Sequence, residues 1–359
     1  MNYAKRLELC QSHIEKSREY KGILVTDAAN MRYLCGFTGS CGYLLVTGKG
    51  AWFFTDFRYD EQAKKEIGKA AEIEIFYNNS VETIFNRVKA CKIKQLGVER
   101  SMRLGQFLNY QEEYSGKLVP VGGFLQSLRQ IKDAGELKDL KKAFAIADKA
   151  FAQLMQEIKP GMTEVEAAAR LEYFMKSFGS EAPSFATIIA SGPNSSCPHA
   201  QPTNKKLKSK EMVKIDFGAV YNGYHSDMTR TIFLGKASEK FTNIYTIVAK
   251  AQKEAIKALK VGANCKAIDK IARDVIEKAG YGDNFGHGLG HSFGLEVHEL
   301  PSLSAKSDVK IAEGMTFTVE PGIYLPGWGG IRIEDSFLLK KDGKIRLTKS
   351  PNKLLEIIN

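Results

Sequence analysis

Cysteine is scarce and scattered. The six residues Cys10, Cys35, Cys41, Cys91, Cys197 and Cys265 include no CxxC spacing. That argues against a zinc knuckle and offers no disulfide framework, so reduced thiols in a cytoplasmic protein are expected. No apolar run approaches the roughly 18 residues that a membrane span needs. The opening stretch MNYAKRLELCQSHIEKSREY is charged and helical in pattern, without the apolar centre of a secretion signal. Nucleic-acid signatures are missing too: the formal net charge of +11 comes with no zinc finger, RNP or helix-turn-helix pattern. The lysines are dispersed, and the densest group, Lys205, Lys206, Lys208 and Lys210, lies in one polar loop, so the excess reads as solvated surface. Neither nucleic acid nor a membrane is expected as a partner.

What is present fits a globular chain of two domains: 359 residues, 43% hydrophobic and 26% charged. The first third alternates helical and strand-like segments. A helix over about 3–19 precedes a strand at 22–27, the turn-rich 36–47, a strand at 51–56, a helix at 58–67, and strands at 73–77 and 95–99. This pattern predicts a small α/β domain with a mixed sheet, ending where the charged stretch RQIKDAGELKD begins. The expected division is 1–130 and 131–359.

The remainder contains an internal echo. Lys159, Gly161, Thr163 and Gly179 recur as Lys260, Gly262, Asn264 and Gly280, each 101 positions on, as 159 to 260. In both copies a long amphipathic helix ends at a glycine, and Thr163 or Asn264 then caps a second helix. Shared helix punctuation could arise by convergence, but a duplicated half explains the set better. β structure follows each helix pair. The segments 213–220 and 224–234 flank Asn222-Gly223, a two-residue hairpin turn. The segments 315–325 and 331–339 flank the glycine-rich GWGG. Alternation turns Met315, Phe317 and Val319 one way and Thr318 and Glu320 the other; Ile331 and Ile333 likewise oppose Arg332 and Glu334.

Each hairpin therefore offers one acid per strand, Asp216 with Asp227 and Glu320 with Glu334. Singly, each reads as a cap, a surface charge or a turn residue; together they are hard to explain as coincidence. Four acids gathered in one place could not all stay ionised without cations between them. Three histidines share GHGLGHSFGLEVHE: His287, His291 and His298. The i, i+4 spacing of His287 and His291 suits a helix, but Gly286, Gly288, Gly290 and Gly294 argue for a loop or strand instead. His199 is a fourth candidate, and His13, in the first helix, is given no role.

These segments resemble the metallopeptidases of the "pita-bread" fold, specifically aminopeptidase P and prolidase. The resemblance rests on DFGAVYNGYHSDMTRT, HGLGHSFGLEVHE, TVEPGIYL and GGIRIEDSFLL. Upstream, NMRYLCGFTGS and TDFRYDEQA resemble the creatinase-like domain that precedes the catalytic half. The implied fold is α+β, a pseudo-two-fold catalytic domain behind a smaller α/β domain.

The resemblance also implies a site and its roles. Asp227 and Glu334 would bridge two divalent metal ions, His291 and Glu320 would complete one coordination sphere, and Asp216 would chelate the other ion. Manganese is favoured, with cobalt, zinc or iron also suited to these ligands. Glu320 would act as general base and then general acid, His298 would help stabilise the oxyanion, and His287 and His199 would hold substrate. Arg332 would orient the ligands, and Tyr324 is a candidate hydrogen-bond donor. The implied activity is that of an Xaa-Pro aminopeptidase on peptides with proline second; prolidase, acting on Xaa-Pro dipeptides, is its nearest rival. Methionine aminopeptidase fits less well, given the N-terminal domain. A creatinase-like hydrolase or a binding module is disfavoured by the complete ligand set. A homodimer is expected, with Phe37, Arg58 and Tyr59 as candidate contributors from the N-terminal domain.

Overall fold

The structure, a computed structural model, describes residues 2–358. The chain forms two compact units, one running to Arg129 and one from Gln130.

The first unit is built on a six-stranded mixed sheet. Its strands run Glu72–Phe76, Gly50–Asp56, Tyr43–Thr47, Gly22–Val25, Gln95–Glu99, Lys117–Val121 across the sheet. Tyr43–Thr47 pairs antiparallel with both its neighbours, and the other three pairings are parallel. Leu24, Leu45, Phe54, Leu96 and Val98 bury one side beneath Ile84 and Val88 of the helix Ser80–Ala90. The helix Ala28–Cys35 is absent from the sequence expectation. Asp27 caps it by accepting from the Asn30 amide, and Gly36 closes it at φ 85°. Its eight residues are too few for apolar periodicity to stand out. Phe37 is buried and packs against Phe53, whereas Arg58 is exposed and pairs with Asp56.

The second unit repeats itself down to its hydrogen bonds. Helices Ala134–Glu157 and Glu164–Ser177 form the first pair, Glu239–Ala258 and Cys265–Lys278 the second. Gly161 and Gly262 follow the first helix of each pair at φ 95° and 85°, a region glycine tolerates without strain. The Gly161 amide donates to the Leu207 carbonyl, and the Gly262 amide to that of Ile311. The Leu207 and Ile311 amides answer to Met162 and Ala263. Thr163 and Asn264 accept from backbone amides as predicted for caps, Thr163 in a capping box with Glu166.

Each pair leads into β structure whose inner faces form a core. In the first half, Glu211–Phe217 pairs antiparallel with Met228–Leu234, placing Asp216 beside Thr229. Asn222 and Gly223 take φ 46° and 72°, the left-handed pair a two-residue hairpin requires. In the first half the two expected long strands are each broken once, at Gly218-Ala219 and Ser226-Asp227, and the same holds in the second half. Thr316–Val319 pairs with Asp335–Lys340, and Gly322–Leu325 with Gly329–Arg332. The breaks fall at Glu320-Pro321 and Ile333-Glu334, because Pro321 has no amide to give a ladder. Phe317, Val319, Ile331 and Ile333 face the core, as alternation predicts, leaving Glu320, Arg332 and Glu334 on the opposite face.

Candidate metal centre and active site

The two hairpins deliver their acids to one cavity of about 520 Å³. Asp216, Asp227 and Glu334 each place a carboxylate oxygen within 4.8 Å of the others. His291 Nε2 stands 3.3 Å from Glu320 Oε1 and 3.6 Å from Asp227 Oδ2. All five sequence candidates for the metal set therefore converge. His199, His287, His298 and Arg332 line the same cavity. Tyr324 does not line it: it is buried behind Arg332 and His287, with its hydroxyl hydrogen-bonded to both.

Local structure accounts for these placements. The segment 286–299 is not helical; Gly290–Ser292 is a short strand paired with Glu299–Leu303. A side chain at Gly290 would stand 2.0 Å from the Thr318 carbonyl oxygen, so only glycine lets the two strands approach. The His291 amide donates to Thr318 Oγ1, and that hydroxyl donates to Glu320 Oε1 at 3.2 Å. His291 Nδ1 lies 3.1 Å from the Ser292 carbonyl, which makes Nδ1 the protonated nitrogen and aims the Nε2 lone pair at the acids. Thr229 Oγ1 donates to Glu334 Oε2 at 2.8 Å and accepts from Arg332 Nε at 3.0 Å. The Arg332 guanidinium also grips Asp216 and the Tyr324 hydroxyl. Thr229 and Thr318 lie two residues from Asp227 and Glu320, so strand alternation contained a signal for both.

The electrostatics are those of a site built for cations. Four carboxylates face one guanidinium. Burial, then the charge of Glu334, raises the Asp227 carboxyl well above its ordinary value. Burial, then Glu320 and Asp216, does the same to Glu334. Glu320 feels the same burial, but its hydrogen bond and charge contact with His291 outweigh it and hold the carboxyl down at about 2. Burial lowers the His291 imidazole, yet Glu320 reverses the shift and raises it. Asp216 Oδ1 and Glu334 Oε1 are buried and accept no hydrogen bond. Orphaned buried oxygens are costly, and a bound cation is what would satisfy them. Oxygen donors with one imidazole fit a hard to borderline divalent ion.

Sequence reasoning did not single out Lys214, which is wholly buried two residues before Asp216. Its Nζ donates to the carbonyls of Ser195, Cys197 and Pro198 at 3.0, 2.6 and 3.2 Å. Burial and the neighbouring Arg332 pull the ammonium down to about 7. Three acceptors match the three N–H groups of the charged form and oppose that fall. The apolar wall of Phe185, Ala186, Ile188 and Pro198 was also unforeseen.

An acid-rich cavity with one imidazole, His291, set directly against the carboxylates has the donor set of a divalent-metal hydrolase site. The chain belongs to metallopeptidase family M24, whose profile matches residues 138–341, and the Creatinase/Prolidase N-terminal domain matches residues 6–131. Its fold is accordingly the pita-bread catalytic domain behind a creatinase-type domain. The chain is similar to the Xaa-Pro dipeptidase of Pyrococcus horikoshii, at 40% identity over 93% of this chain and 94% of that one. Among solved structures it matches an Xaa-Pro dipeptidase from Bacillus anthracis with a TM-score of 0.94 and 39% identity, covering 99% of both chains. It also matches an X-Pro aminopeptidase from Thermotoga maritima with a TM-score of 0.89 and 36% identity, covering 96% of this chain and 99% of that one. The protein is thus an enzyme of the proline-peptidase class that uses divalent metal ions. No described helix is long and apolar enough to cross a membrane.

Proposed function

We propose that this chain is an Xaa-Pro aminopeptidase, releasing the first residue from peptides whose second residue is proline. The supporting observation is the charge of the cavity wall. An enzyme restricted to dipeptides needs a free cation for the substrate carboxylate. Of the residues lining this cavity Arg332 alone is a lysine or arginine, and Asp216 already holds it. Peptides whose carboxyl end lies beyond the wall need no such partner. Prolidase activity is the second reading, favoured by relatives named Xaa-Pro dipeptidase at 39–40% identity.

Asp216, Asp227, His291, Glu320 and Glu334 would hold two divalent ions, with manganese the best candidate and cobalt, zinc or iron compatible with the donors. Bound there, the ions would acidify a water and polarise the scissile carbonyl. Glu320 moves the proton. Its Oε1 accepts from Thr318 Oγ1, and Oε2, 4.0 Å from Arg332 Nε, would take a proton from the attacking water and pass it to the proline nitrogen. His298, its ring set against that of His291 at 4.4 Å, faces the cavity and donates to the oxygen that gains charge. Burial keeps the imidazoles of His287 and His298 below the usual histidine value, so at neutral pH each is an uncharged ring with one N–H and one lone pair. His287 has both nitrogens bonded, Nδ1 to the Gly288 carbonyl and Nε2 to the Tyr324 hydroxyl, so it shapes the wall against which the substrate lies; His199 would hold the substrate, and Arg332 with Tyr324 orients Asp216.

The deciding experiment compares kcat/KM for an Xaa-Pro dipeptide and an Xaa-Pro-Yaa tripeptide on the same metal-loaded preparation. Preference for the tripeptide is expected; turnover of the dipeptide alone would replace this reading with prolidase. Sizing the protein in solution tests the expected dimer, and fractionation of the source cells its cytoplasmic location.

A further inference from the structure

The segment bearing Pro198 and His199 has little regular structure of its own beyond the 3-10 turn Gly192–Ser196. Two buried charges of opposite sign hold it. At its ends, Glu164 accepts from the Ser191 amide at 2.7 Å, the Thr203 amide at 3.0 Å and the side chains of Ser191, Asn194 and Thr203. At its centre the carbonyls of Ser195, Cys197 and Pro198 point inward at the single Lys214 ammonium.

We propose that Lys214 is a positioning residue whose ammonium clips the turn 195–198 and thereby fixes the cavity wall made by Pro198 and His199. Its strand neighbours Met212, Val213, Ile215 and Phe217 are buried and apolar; the ammonium lies 5.2 Å from the centre of the Tyr324 ring, and its hydrogen bonds all go to the turn. Alternation along Glu211–Phe217 puts it on the same face as Asp216, and a four-carbon stem carries its charge past the acids to the turn. Every N–H of the ammonium is used, which offsets the cost of burying it. Arg332 Nη1 adds a 3.3 Å bond to the Pro198 carbonyl, tying the clip to the guanidinium that grips Asp216. Without the ammonium the Ser195 carbonyl would lose this bond, and those of Cys197 and Pro198 would keep only longer ones, from the Ala200 amide and Arg332 Nη1 at 3.3 Å each, so the turn would loosen toward water. The reacting atoms are not touched, so the effect falls on substrate binding more than on the chemical step.

Three variants of the metal-loaded protein test this. Lys214→Met keeps the stem and removes the charge. It should raise KM for an Xaa-Pro substrate about tenfold with kcat within about threefold of wild type. Metal content should stay unchanged, and amide exchange should accelerate over 194–200. Lys214→Arg should recover part of the loss. In Lys214→Ala, n-propylammonium supplies the missing carbons and charge and should restore KM, whereas n-propanol should not. Wild-type KM and exchange in Lys214→Met, rescue by propanol as readily as by the amine, or a fall in metal content with activity would each overturn the proposal. The wild type carries its own test: a spectrum of protein labelled with ¹⁵N-lysine should contain a slowly exchanging ammonium that disappears in Lys214→Met while that of buried Lys132, paired with Glu299 at 2.7 Å, stays, and the absence of such a signal would be equally damaging. The kinetic arm rests on the Xaa-Pro reading, but the exchange and ammonium measurements do not. An inactive wild type with a protected turn would therefore count against that reading alone.

Discussion

The two halves of the catalytic unit solve one problem in different ways. Each must hold a histidine-bearing loop over the acids, and each does so with a buried carboxylate from its second helix. In the first half Glu164 binds the segment 191–203 through neutral donors only. In the second half Asp269 accepts from the Leu289 amide at 3.0 Å and pairs with Arg273. Arg273 in turn donates to the carbonyls of Phe285 and His287. The 101-residue shift takes Glu164 to Cys265 and brings Asp269 back to Ala168, so neither device has a counterpart in the other copy. The backbone frame repeats and the side-chain chemistry does not. The frame answers to a constraint both halves share, turning a helix pair into a hairpin. The side chains answer to a single asymmetric site, where the imidazole closest to the acids, His291, comes from the second half.

That asymmetry predicts unequal losses. Glu320→Gln should lower kcat by about a thousandfold, within the range for losing a positioned proton carrier, with metal analysis beside the assay. His291→Ala should bind one ion weakly while the other stays. Full turnover in Glu320→Gln, or full turnover and full metal in His291→Ala, would mean that the second half does not carry the chemistry. Glu164→Leu should come next, since it strands several buried donors at once, at a cost of about 3–5 kcal/mol by denaturant unfolding. Asp269→Asn, which keeps an acceptor for the Leu289 amide, should cost less, about 1–3 kcal/mol. The reverse order would show that Arg273, not the carboxylate, organises the second loop.

Stability should depend on pH and metal together. Asp227 and Glu334 have raised values in the folded state, chiefly through burial, so the folded protein binds more protons than the unfolded one. Without metal, stability should therefore fall as pH rises above about 4, where the unfolded carboxyls ionise. His291, also raised, adds to the fall above about 6.5. Glu320, held at about 2, opposes the trend only at lower pH and contributes a constant above it. Added manganese should shift the melting temperature more at pH 7.5 than at pH 5, because its ligands must be deprotonated. An equal shift at both values would place the metal elsewhere.

Much of this was legible in the sequence, for identifiable reasons. The five candidate ligands stood out because polar groups interrupt strand-like or glycine-rich segments where a purely structural chain would place apolar residues. The repeat showed because glycines after helices and caps before them are strict local requirements. Glu164 and Lys214 were hidden. A glutamate in a first helical turn and a lysine in a strand both look like surface residues, and only the tertiary path of 191–203 brings them acceptors and donors. Tyr324 followed the alternation rule away from the core but met a second layer, Arg332 and His287, instead of the cavity. The helix Ala28–Cys35 is held by one cap and by burial, neither of which has a period to read.

The smallest effect tests the frame itself. Thr163 and Asn264 sit at equivalent caps, and each accepts from the amide three residues on, Glu166 or Ala267. Thr163 belongs to a capping box in which the Glu166 side chain answers its own amide at 2.7 Å; Asn264 has an alanine at that place and instead donates to the Asp308 carbonyl at 3.2 Å. Replacing either by alanine should cost about 1 kcal/mol. The two losses should add in the double variant, because each cap is closed by its own half. Kinetic constants should not move in any of the three proteins. A loss in the double variant well beyond the sum would mean that the halves fold against each other as one unit, and that the repeated frame is held by contact between its copies rather than by the same local rules applied twice.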